Sequence, residues 1–299
     1  MVLRTEIRDL LKKEKLRVAH KPYGTNIFIT GASSGIGLAC ALLFASHGYQ
    51  VWGVSRSGIC AEPLPDTIHL SRMDVTDVGS VETEVTRIWH AAKQLTGDGI
   101  GTVIHCAGFG IGGSAEDTPL EAVRNQFETN YFGVLQVNQC LLPRMRSRGP
   151  SLVIILGSVA GRLSIPFQSH YSSTKFALEA YVEALRMEGK PFGIQATILE
   201  AGDTKTPFTA QRQMAVPEGS PYRAMAAHAI AKMEHDEQHG YAAETVARKA
   251  LQIAQKKHPP LRKPVGAGYM LLLLFKRVLP DRLAETIISR MYLSDKPQV

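Results

Sequence analysis

Short apolar segments alternate along the chain with longer segments of helical periodicity. Six apolar segments precede residue 205: NIFITG, YQVWGVS, TIHLSRMDV, GTVIHCAG, SLVIILGS and IQATILEAG. Apolar residues recur at helical spacing over 35–47, 79–94, 119–147 and 173–188. Strands that are apolar on both faces and alternate with helices are typical of a parallel sheet covered on both sides. We therefore predict an α/β fold with a doubly wound parallel sheet, a Rossmann-type, three-layer αβα arrangement.

The pattern changes after residue 205. Residues 206–222 contain turn-forming residues without a clear period, which predicts a loop, and two helices are predicted over about 222–238 and 242–257. The continuous apolar run from Val265 to Phe275 is shorter than the roughly 18–20 residues that cross a bilayer. It predicts a helix that packs in the core or over a substrate cleft.

These patterns divide the chain into three regions around one domain. We predict a helical extension at 1–22, a Rossmann-fold domain at 23–262 with a substrate loop at about 203–240, and an apolar C-terminal helical segment at 263–299. The first region is charged throughout and lacks the apolar core of a secretory signal. A length of 299 residues is compatible with one large domain.

Composition and charge narrow the classes of function. The chain is 44% hydrophobic and 20% charged, as in ordinary soluble proteins. Its four cysteines have no paired spacing, which favours a reduced, cytoplasmic protein. The net charge of +7 comes from basic residues gathered near the two ends, without a nucleic-acid-binding motif. We predict no nucleic-acid partner, while peripheral membrane contact through the termini stays open.

A glycine-rich turn, TGASSGIG, follows the first predicted strand and opens a helix. Its glycines let the backbone approach a pyrophosphate, and the helix N-terminus offers free N–H groups and the positive end of its dipole. The predicted dinucleotide contacts are Gly31, Ser33, Ser34, Gly35, Ile36 and Gly37.

The ends of the second and third strands indicate which dinucleotide binds. An acidic residue after the second strand would favour NAD, but this chain has Ser55 and Arg56 there. A guanidinium suits a 2′-phosphate, so we predict NADP(H). Asp74 and Val75 follow the third strand, where an adenine ring could rest.

The candidate chemistry lies after the fifth strand. Ser158 ends that strand, Tyr171 follows thirteen residues later, and Lys175 lies four residues further on the same helix face. An ammonium and an oxidised nicotinamide nearby would lower the pKa of the phenol, so that Tyr171 exchanges a proton with a substrate oxygen. Ser158 would hold the same oxygen by a hydrogen bond.

Together these motifs resemble the classical short-chain dehydrogenase/reductase (SDR) family, from about residue 26 to 208. The resemblance implies that Asn130, in FETNYFGV, is a fourth catalytic residue that supports a water on a proton relay with Lys175. It also implies a homodimer or homotetramer that acts on a small-molecule substrate. The implied further cofactor contacts are Cys106, Ala107, Gly108, Tyr171, Lys175, Gly202, Thr204 and Thr206.

Two departures from the family pattern concern the cofactor side. HCAG replaces the usual NNAG after the fourth strand, so the asparagines that tie strands together are missing, and His105 is either an acid–base group or a core histidine. AGDTKT replaces PGxxxT after the sixth strand, and loss of the proline would loosen that loop. HDEQH at 235–239 has zinc-like spacing without a third ligand, so we predict a solvated helix face and no metal.

The substrate class is left to analogy. GFGIGGSAEDTP and the apolar C-terminus resemble members related to hydroxysteroid and retinol dehydrogenases. This implies a bulky apolar substrate, such as a steroid, retinoid or fatty-chain carbonyl, in a pocket formed by 109–113, 163–167 and 207–225. The alternatives are a reductase of acyl-carrier or small polar carbonyls, and a non-catalytic protein that senses NADP.

Overall fold

The computed structural model describes residues 20–293. Seven parallel strands form its central sheet. They are β1 (Asn26–Thr30), β2 (Gln50–Ser55), β3 (Ile68–Arg72), β4 (Thr102–His105), β6 (Ser151–Ser158), β7 (Ile194–Ala201) and β11 (Arg262–Pro264). Their order is β3-β2-β1-β4-β6-β7-β11. Two small parallel pairs lie outside the sheet: β5 (Ile111–Gly112) with β9 (Gln213–Met214), and β8 (Thr204–Lys205) with β10 (Tyr241–Ala242).

Helices cover both faces of the sheet. On one face lie α1 (Gly35–Ser46) and α7 (Ala243–Ala254), and on the other lie α2 (Val78–Thr96), α4 (Gly133–Arg148) and α5 (Ser169–Gly189). The remaining helices are α3 (Leu120–Phe127), α6 (Arg223–Gln238), α8 (Ala267–Val278) and α9 (Asp281–Tyr292). The doubly wound, single-domain fold with a C-terminal helical extension is therefore confirmed.

The central strands are buried on both faces, as their continuous apolar sequences predict. In β1, Ile27 and Ile29 pack toward α1 and α7, whereas Phe28 packs toward α2, α4 and α5, and all three are fully buried. Successive strand side chains point to opposite faces, so one apolar strand serves two cores. Hydrophobic burial on both faces fixes the sheet between the helical layers.

The strand order reverses beside β1, and this reversal positions the site. β1 pairs with β2 on one side and with β4 on the other. The connections after these strands leave the sheet in opposite directions, which opens a crevice at their carboxyl ends. The TGASSGIG turn lies between β1 and α1, at that crevice.

The predicted helix over 119–147 is divided in three. α3 ends at Phe127, a wider π-helical turn follows at Glu128–Phe132, and α4 begins at Gly133. A Cβ on Gly133 would lie 2.8 Å from the Val75 side chain, so glycine lets the helix pass close to the end of the third strand. Apolar periodicity does not reveal one extra residue in a turn, which is why the sequence predicted one continuous helix.

One strand differs from the sequence-based expectation, whereas the apolar run after it is helical as predicted. β11 pairs with β7 at the sheet edge, and its sequence, RKP, is too short and polar to indicate a strand. It spans the predicted boundary between residues 262 and 263. The apolar run after it forms α8, followed by α9, and these two helices lie over the loop that follows β6.

The predicted N-terminal extension lies almost entirely outside the described residues. Of residues 1–22 only 20–22 are described, and they are not helical. Residues 294–299 of the predicted C-terminal segment also lie outside the description.

Candidate active site

A cleft of about 1450 Å³ opens at the carboxyl edge of the sheet. Every predicted cofactor residue lines it, from the glycine turn at 31–37 to Thr206, and so do Ser158, Tyr171 and Lys175. Asn130 is the one predicted site residue that does not line the cleft. Parallel strands bring their carboxyl ends to one edge, so motifs far apart in sequence meet there.

The glycine turn is shaped by close backbone contacts. Gly31 has φ +67°, and a Cβ there would lie 2.9 Å from the Ala107 nitrogen. A Cβ on Gly37 would lie 2.1 Å from the Gly31 carbonyl oxygen. Side chains at either position would push β1, α1 and the segment after β4 apart. Glycine at both positions therefore allows the tight turn that brings the end of β1 to the N-terminus of α1.

Thr30 ties together the strand ends that lack the family's asparagines. Its Oγ1 accepts hydrogen bonds from the Cys106 nitrogen at 3.1 Å and the Ala107 nitrogen at 3.2 Å. His105 is 3% exposed and its Nε2 is hydrogen-bonded to Asn138 Oδ1 at 2.9 Å. Burial lowers the pKa of His105 to about 4. Of the two alternatives left by the sequence, His105 is a neutral core histidine.

β6 and α5 hold Ser158, Tyr171 and Lys175 at one end of the cleft. Lys175 is 6% exposed, its Nζ donates to the Leu156 carbonyl oxygen at 2.8 Å, and it lies 5.6 Å from the centre of the Tyr171 ring. The Ser158 Oγ accepts from the Ala160 nitrogen at 3.1 Å, which fixes the hydroxyl at the end of its strand. A phenol, a hydroxyl and an ammonium therefore share one wall.

Burial moves the pKa values of Tyr171 and Lys175 in opposite directions. It raises the pKa of Tyr171 to about 12, although the hydrogen bond with Ser158 acts to lower it. It lowers the pKa of Lys175 to about 8. Among the protein's own groups, desolvation of the phenolate outweighs the favourable contacts. The predicted lowering of this pKa includes the charge of an oxidised nicotinamide and stays a prediction. At neutral pH Tyr171 keeps its proton, the form that can protonate a carbonyl oxygen.

The Asn130 side chain forms hydrogen bonds with the backbone of Phe109 and with α5. Its Nδ2 donates to the Phe109 carbonyl oxygen at 3.0 Å and to Thr174 Oγ1 at 3.3 Å, and its Oδ1 accepts from the Phe109 nitrogen at 3.0 Å. These bonds join the segment after β4 to α5 through the π-helical turn. The predicted part of Asn130 in a proton relay stays a prediction.

The segment after β7 is held from outside by a residue that the sequence analysis missed. The Tyr269 ring of α8 lies against Gly202, where a Cβ would be 2.1 Å from the ring. The Tyr269 hydroxyl accepts from the Asp203 nitrogen at 3.2 Å and donates to the Asp203 carboxylate. The Tyr241 nitrogen donates to the Asp203 carbonyl oxygen at 2.9 Å. These contacts hold the loop whose proline is missing, and no local signal marks Tyr269 within its apolar run.

The predicted substrate loop is anchored to α6 by a buried charge pair. The side chain of Arg212 is 1% exposed and donates to the Glu237 carboxylate, which also accepts from Thr209. Both partners on the loop lie in 206–222, where the sequence shows turn formers and no period. The loop therefore follows a defined course past Tyr171, with the Phe208 ring 5.8 Å from the Tyr171 ring.

Arg56 lies exposed at the rim of the cleft, directly after β2. The neighbouring Ser55 Oγ accepts from the Gly58 nitrogen at 3.1 Å, which turns the chain at that point. His235 and His239 lie on another part of the rim, both exposed, with their rings 4.2 Å apart. Among residues 20–293, no group of three His, Cys, Asp or Glu side chains is arranged to hold a metal ion.

The outer wall of the cleft is apolar. Of the predicted pocket segment 109–113 only Phe109 lines the cleft, whereas 163–167 and 207–225 contribute more, and α8 and α9 add residues that the sequence did not assign. Apolar residues on this side include Leu163, Ile165, Phe208, Leu272, Ile288 and Met291, and Gln211, Gln213, His235 and Glu237 line the cleft as well. The cleft thus has the hydroxyl and amino groups of Ser158, Tyr171 and Lys175 at one end and apolar side chains of α8 and α9 on its outer side.

Comparison with known proteins starts with a family model. The model for short chain dehydrogenases matches residues 25–216, a range that contains the glycine turn, Asn130, Ser158, Tyr171 and Lys175. A short-chain dehydrogenase structure from Streptomyces avermitilis superposes with a TM-score of 0.75 at 27% identity, covering 89% of this chain and 97% of that one.

Several named proteins are similar to this chain in sequence. VdlC of Helicobacter pylori, a probable short-chain type dehydrogenase/reductase, is 41% identical over 179 residues, which cover 60% of this chain and 64% of that protein. The 3-ketodihydrosphingosine reductase of Bacteroides thetaiotaomicron is 33% identical, covering 89% of this chain and 97% of that protein. The NADPH-dependent 3-dehydrocapnine reductase of Ornithobacterium rhinotracheale is 29% identical, covering 88% and 95%.

Proposed function

This chain belongs to the short-chain dehydrogenase family, and on that premise we propose that it is an NADP(H)-dependent oxidoreductase that interconverts a ketone or aldehyde with its alcohol. One observation carries the proposal: Ser158, Tyr171 and Lys175 line the same cleft as the glycine turn. A proton donor, a hydrogen-bond donor and a dinucleotide cradle at one sheet edge are the parts that carbonyl reduction requires.

The residues at the cleft fit a dinucleotide. Gly31 and Gly37 let the segments around the turn pack closely, and the first turn of α1 beside them offers free N–H groups to a pyrophosphate. The exposed guanidinium of Arg56, at the rim of the cleft, supports binding of the 2′-phosphate of NADP(H). The name of the relative from Ornithobacterium rhinotracheale, an NADPH-dependent reductase, supports the same cofactor. When bound, the nicotinamide ring supplies or accepts the hydride. In the proposal Thr204 and Thr206 meet its amide and phosphates.

Three side chains take part in the proposed transfer of a proton to the substrate oxygen. The Tyr171 phenol, which keeps its proton at neutral pH, donates it to the substrate oxygen as the carbonyl is reduced. Ser158 hydrogen-bonds the same oxygen and stabilises the charge that develops on it. Lys175, next to the Tyr171 ring, stabilises the phenolate that is left and then holds the ribose. Lys175 is buried, whereas Ser158 and Tyr171 are half-buried and face the cleft, where a substrate can reach them.

We propose a bulky apolar substrate with a carbonyl group. The apolar outer wall of the cleft, with Phe208 beside Tyr171, supports an apolar body, and the polar inner end suits the reacting oxygen. The name of the Bacteroides relative, a reductase of 3-ketodihydrosphingosine, supports a ketone. A reductase of acyl-carrier or small polar carbonyls is the alternative, and the apolar wall is the observation against it.

The setting completes the proposal. We also propose that the protein is cytoplasmic and forms a homodimer or homotetramer. It binds a small-molecule substrate and no nucleic acid. Within residues 20–293, no helix is both long and apolar enough to cross a membrane.

The test is a panel of carbonyl and alcohol substrates, from small polar to long apolar, followed by NADPH absorbance. We expect turnover of apolar carbonyls, and a loss of about 10²- to 10⁴-fold in kcat/KM for Tyr171→Phe, because the proton donor is gone. NADPH binding, measured by fluorescence, should be retained in this variant. Equal turnover by Tyr171→Phe would refute the mechanism, and NADPH binding without turnover across the panel would favour the sensing protein.

A further inference from the structure

The two C-terminal helices expose more large apolar side chains than they bury. α8 and α9 bury Leu273 and Ala284, and expose eight large apolar side chains. These are Met270, Leu271, Leu274, Phe275, Val278, Leu283, Ile287 and Met291. Isolated apolar residues on a surface are ordinary, but a continuous group on one element indicates an interaction site.

The exposed residues of α8 form one outer face. Leu271, Leu274, Phe275 and Val278 follow the i, i+3, i+4, i+7 pattern, so they share one side of the helix. Tyr269, Leu272 and Leu273, on the opposite side, pack on the loop after β6. The inner side therefore already has its partner within the protein, and the outer apolar face is a second contact surface.

The charges around this face favour an anionic lipid surface. Between residues 267 and 292 there are four basic residues, Lys276, Arg277, Arg282 and Arg290, and two acidic ones. The three arginines are exposed. Basic side chains beside an apolar face match the headgroups and acyl chains of an anionic leaflet. A second copy related by a two-fold axis would instead bring the same arginines toward one another.

The helices that carry this face also line the cleft. Leu272, Ile288 and Met291, from the same two helices, line the apolar outer wall of the cleft. α8 has 12 residues, too few to span a bilayer, which matches a helix that lies within the interface.

From these observations we propose that α8 and α9 seat this protein on an anionic lipid surface. The outer face of α8 enters the boundary between headgroups and acyl chains, and apolar substrate passes from the lipid along α8 and α9 into the cleft. The passage of substrate rests on the proposed function, whereas the docking does not and is measured without turnover.

The test is flotation of the full chain with vesicles, without cofactor or substrate. We expect binding to vesicles of phosphatidylcholine mixed with phosphatidylglycerol, weaker binding to phosphatidylcholine alone, and release by salt. Leu274→Glu, at a position that is 58% exposed, should reduce binding at least about tenfold. The double change Arg277→Gln and Arg282→Gln should remove the preference for phosphatidylglycerol.

Leu95→Glu is the matched control. It makes the same substitution at a position that is 54% exposed, at the end of α2 and next to Thr96, which bonds to Asn26 at the start of β1, and should leave vesicle binding unchanged. Tyr171→Phe should also bind vesicles as the unmodified protein does. A failure of the docking proposal can therefore be distinguished from a failure of the proposed function. With vesicle-borne apolar carbonyl, Leu274→Glu should slow turnover at least about tenfold, with little effect on a water-soluble carbonyl.

Two results would overturn the proposal. One is equal vesicle binding by Leu274→Glu and the unmodified protein. The other is a change of oligomeric state by light scattering in Leu274→Glu with vesicle binding intact, which would assign the face to a second copy of the chain.

Discussion

Arg56 is a single residue whose chemistry can be separated from the fold. It is exposed at the cleft rim, so little packing depends on its side chain. Most exposed substitutions away from special features change stability by about 0.5 kcal/mol or less. A change in cofactor preference at this position would therefore report on recognition of the 2′-phosphate, not on the fold.

We predict that Arg56→Gln raises the KM for NADPH about 10- to 100-fold, because one charge-assisted hydrogen bond is lost. The KM for NADH should change little, since NADH lacks the phosphate. Steady-state kinetics with both cofactors provide the measurement, and Arg146→Gln, another exposed arginine on α4, is the control. A parallel rise for both cofactors would contradict the assignment.

At the scale of elements, one helix joins the surface to the cofactor side of the cleft. α8 presents its apolar outer face to the outside, while Tyr269 on its inner side lies against Gly202 and bonds to Asp203. Burial raises the pKa of Asp203, although the Tyr269 hydroxyl acts to lower it. The position of the loop after β7 therefore depends on a helix that begins more than sixty residues later in the chain.

Tyr269→Phe should weaken NADPH binding by about 5- to 30-fold, since removal of the hydroxyl leaves the Asp203 nitrogen and carboxylate without this partner. The ring that packs on Gly202 is kept, so the melting temperature should change by only a few degrees. Cofactor titration and thermal unfolding give the two readouts.

Tyr241→Phe is the matched change on a neighbouring ring, 6.5 Å from Tyr269. It should leave cofactor affinity close to that of the unmodified protein. An unchanged affinity in Tyr269→Phe together with a lower melting temperature would show that the hydroxyl stabilises the fold without positioning the loop.

For the whole molecule, two apolar cores, one on each side of the sheet, stabilise the fold. A row of three hydrogen-bonded polar side chains crosses one of these cores. His105 on β4 bonds to Asn138 on α4, whose Nδ2 donates to the Tyr181 hydroxyl on α5 at 3.1 Å. These two hydrogen bonds join the sheet to two helices of one layer. Because burial lowers the pKa of His105 from 6.5 to about 4, the histidine is neutral in the folded protein.

Stability should therefore fall as the pH falls from about 6.5 to about 4, since the unfolded chain takes up a proton on His105 that the folded protein does not. Between pH 7 and pH 5 this group should account for a loss of about 2 kcal/mol in the free energy of unfolding. His105→Asn should lose less stability than the unmodified protein over this interval, as measured by urea denaturation.

His90→Asn, at an exposed position on α2, is the control and should keep the pH dependence of the unmodified protein. If His105→Asn and the unmodified protein lose equal stability between pH 7 and pH 5, His105 is not the group that titrates.

The sequence by itself determined the family and the αβα architecture, and it predicted the residues of the site. Six strands have a local apolar pattern, and the glycine turn, Ser158, Tyr171 and Lys175 have spacings that can be read from the sequence alone. The tertiary structure alone decided the edge strand β11, the contact of Tyr269 with Asp203 and the outward face of α8. It also decided the pKa directions at the site. The physical reason is that periodicity and spacing are local, whereas desolvation and contacts between distant segments exist only once the chain has packed.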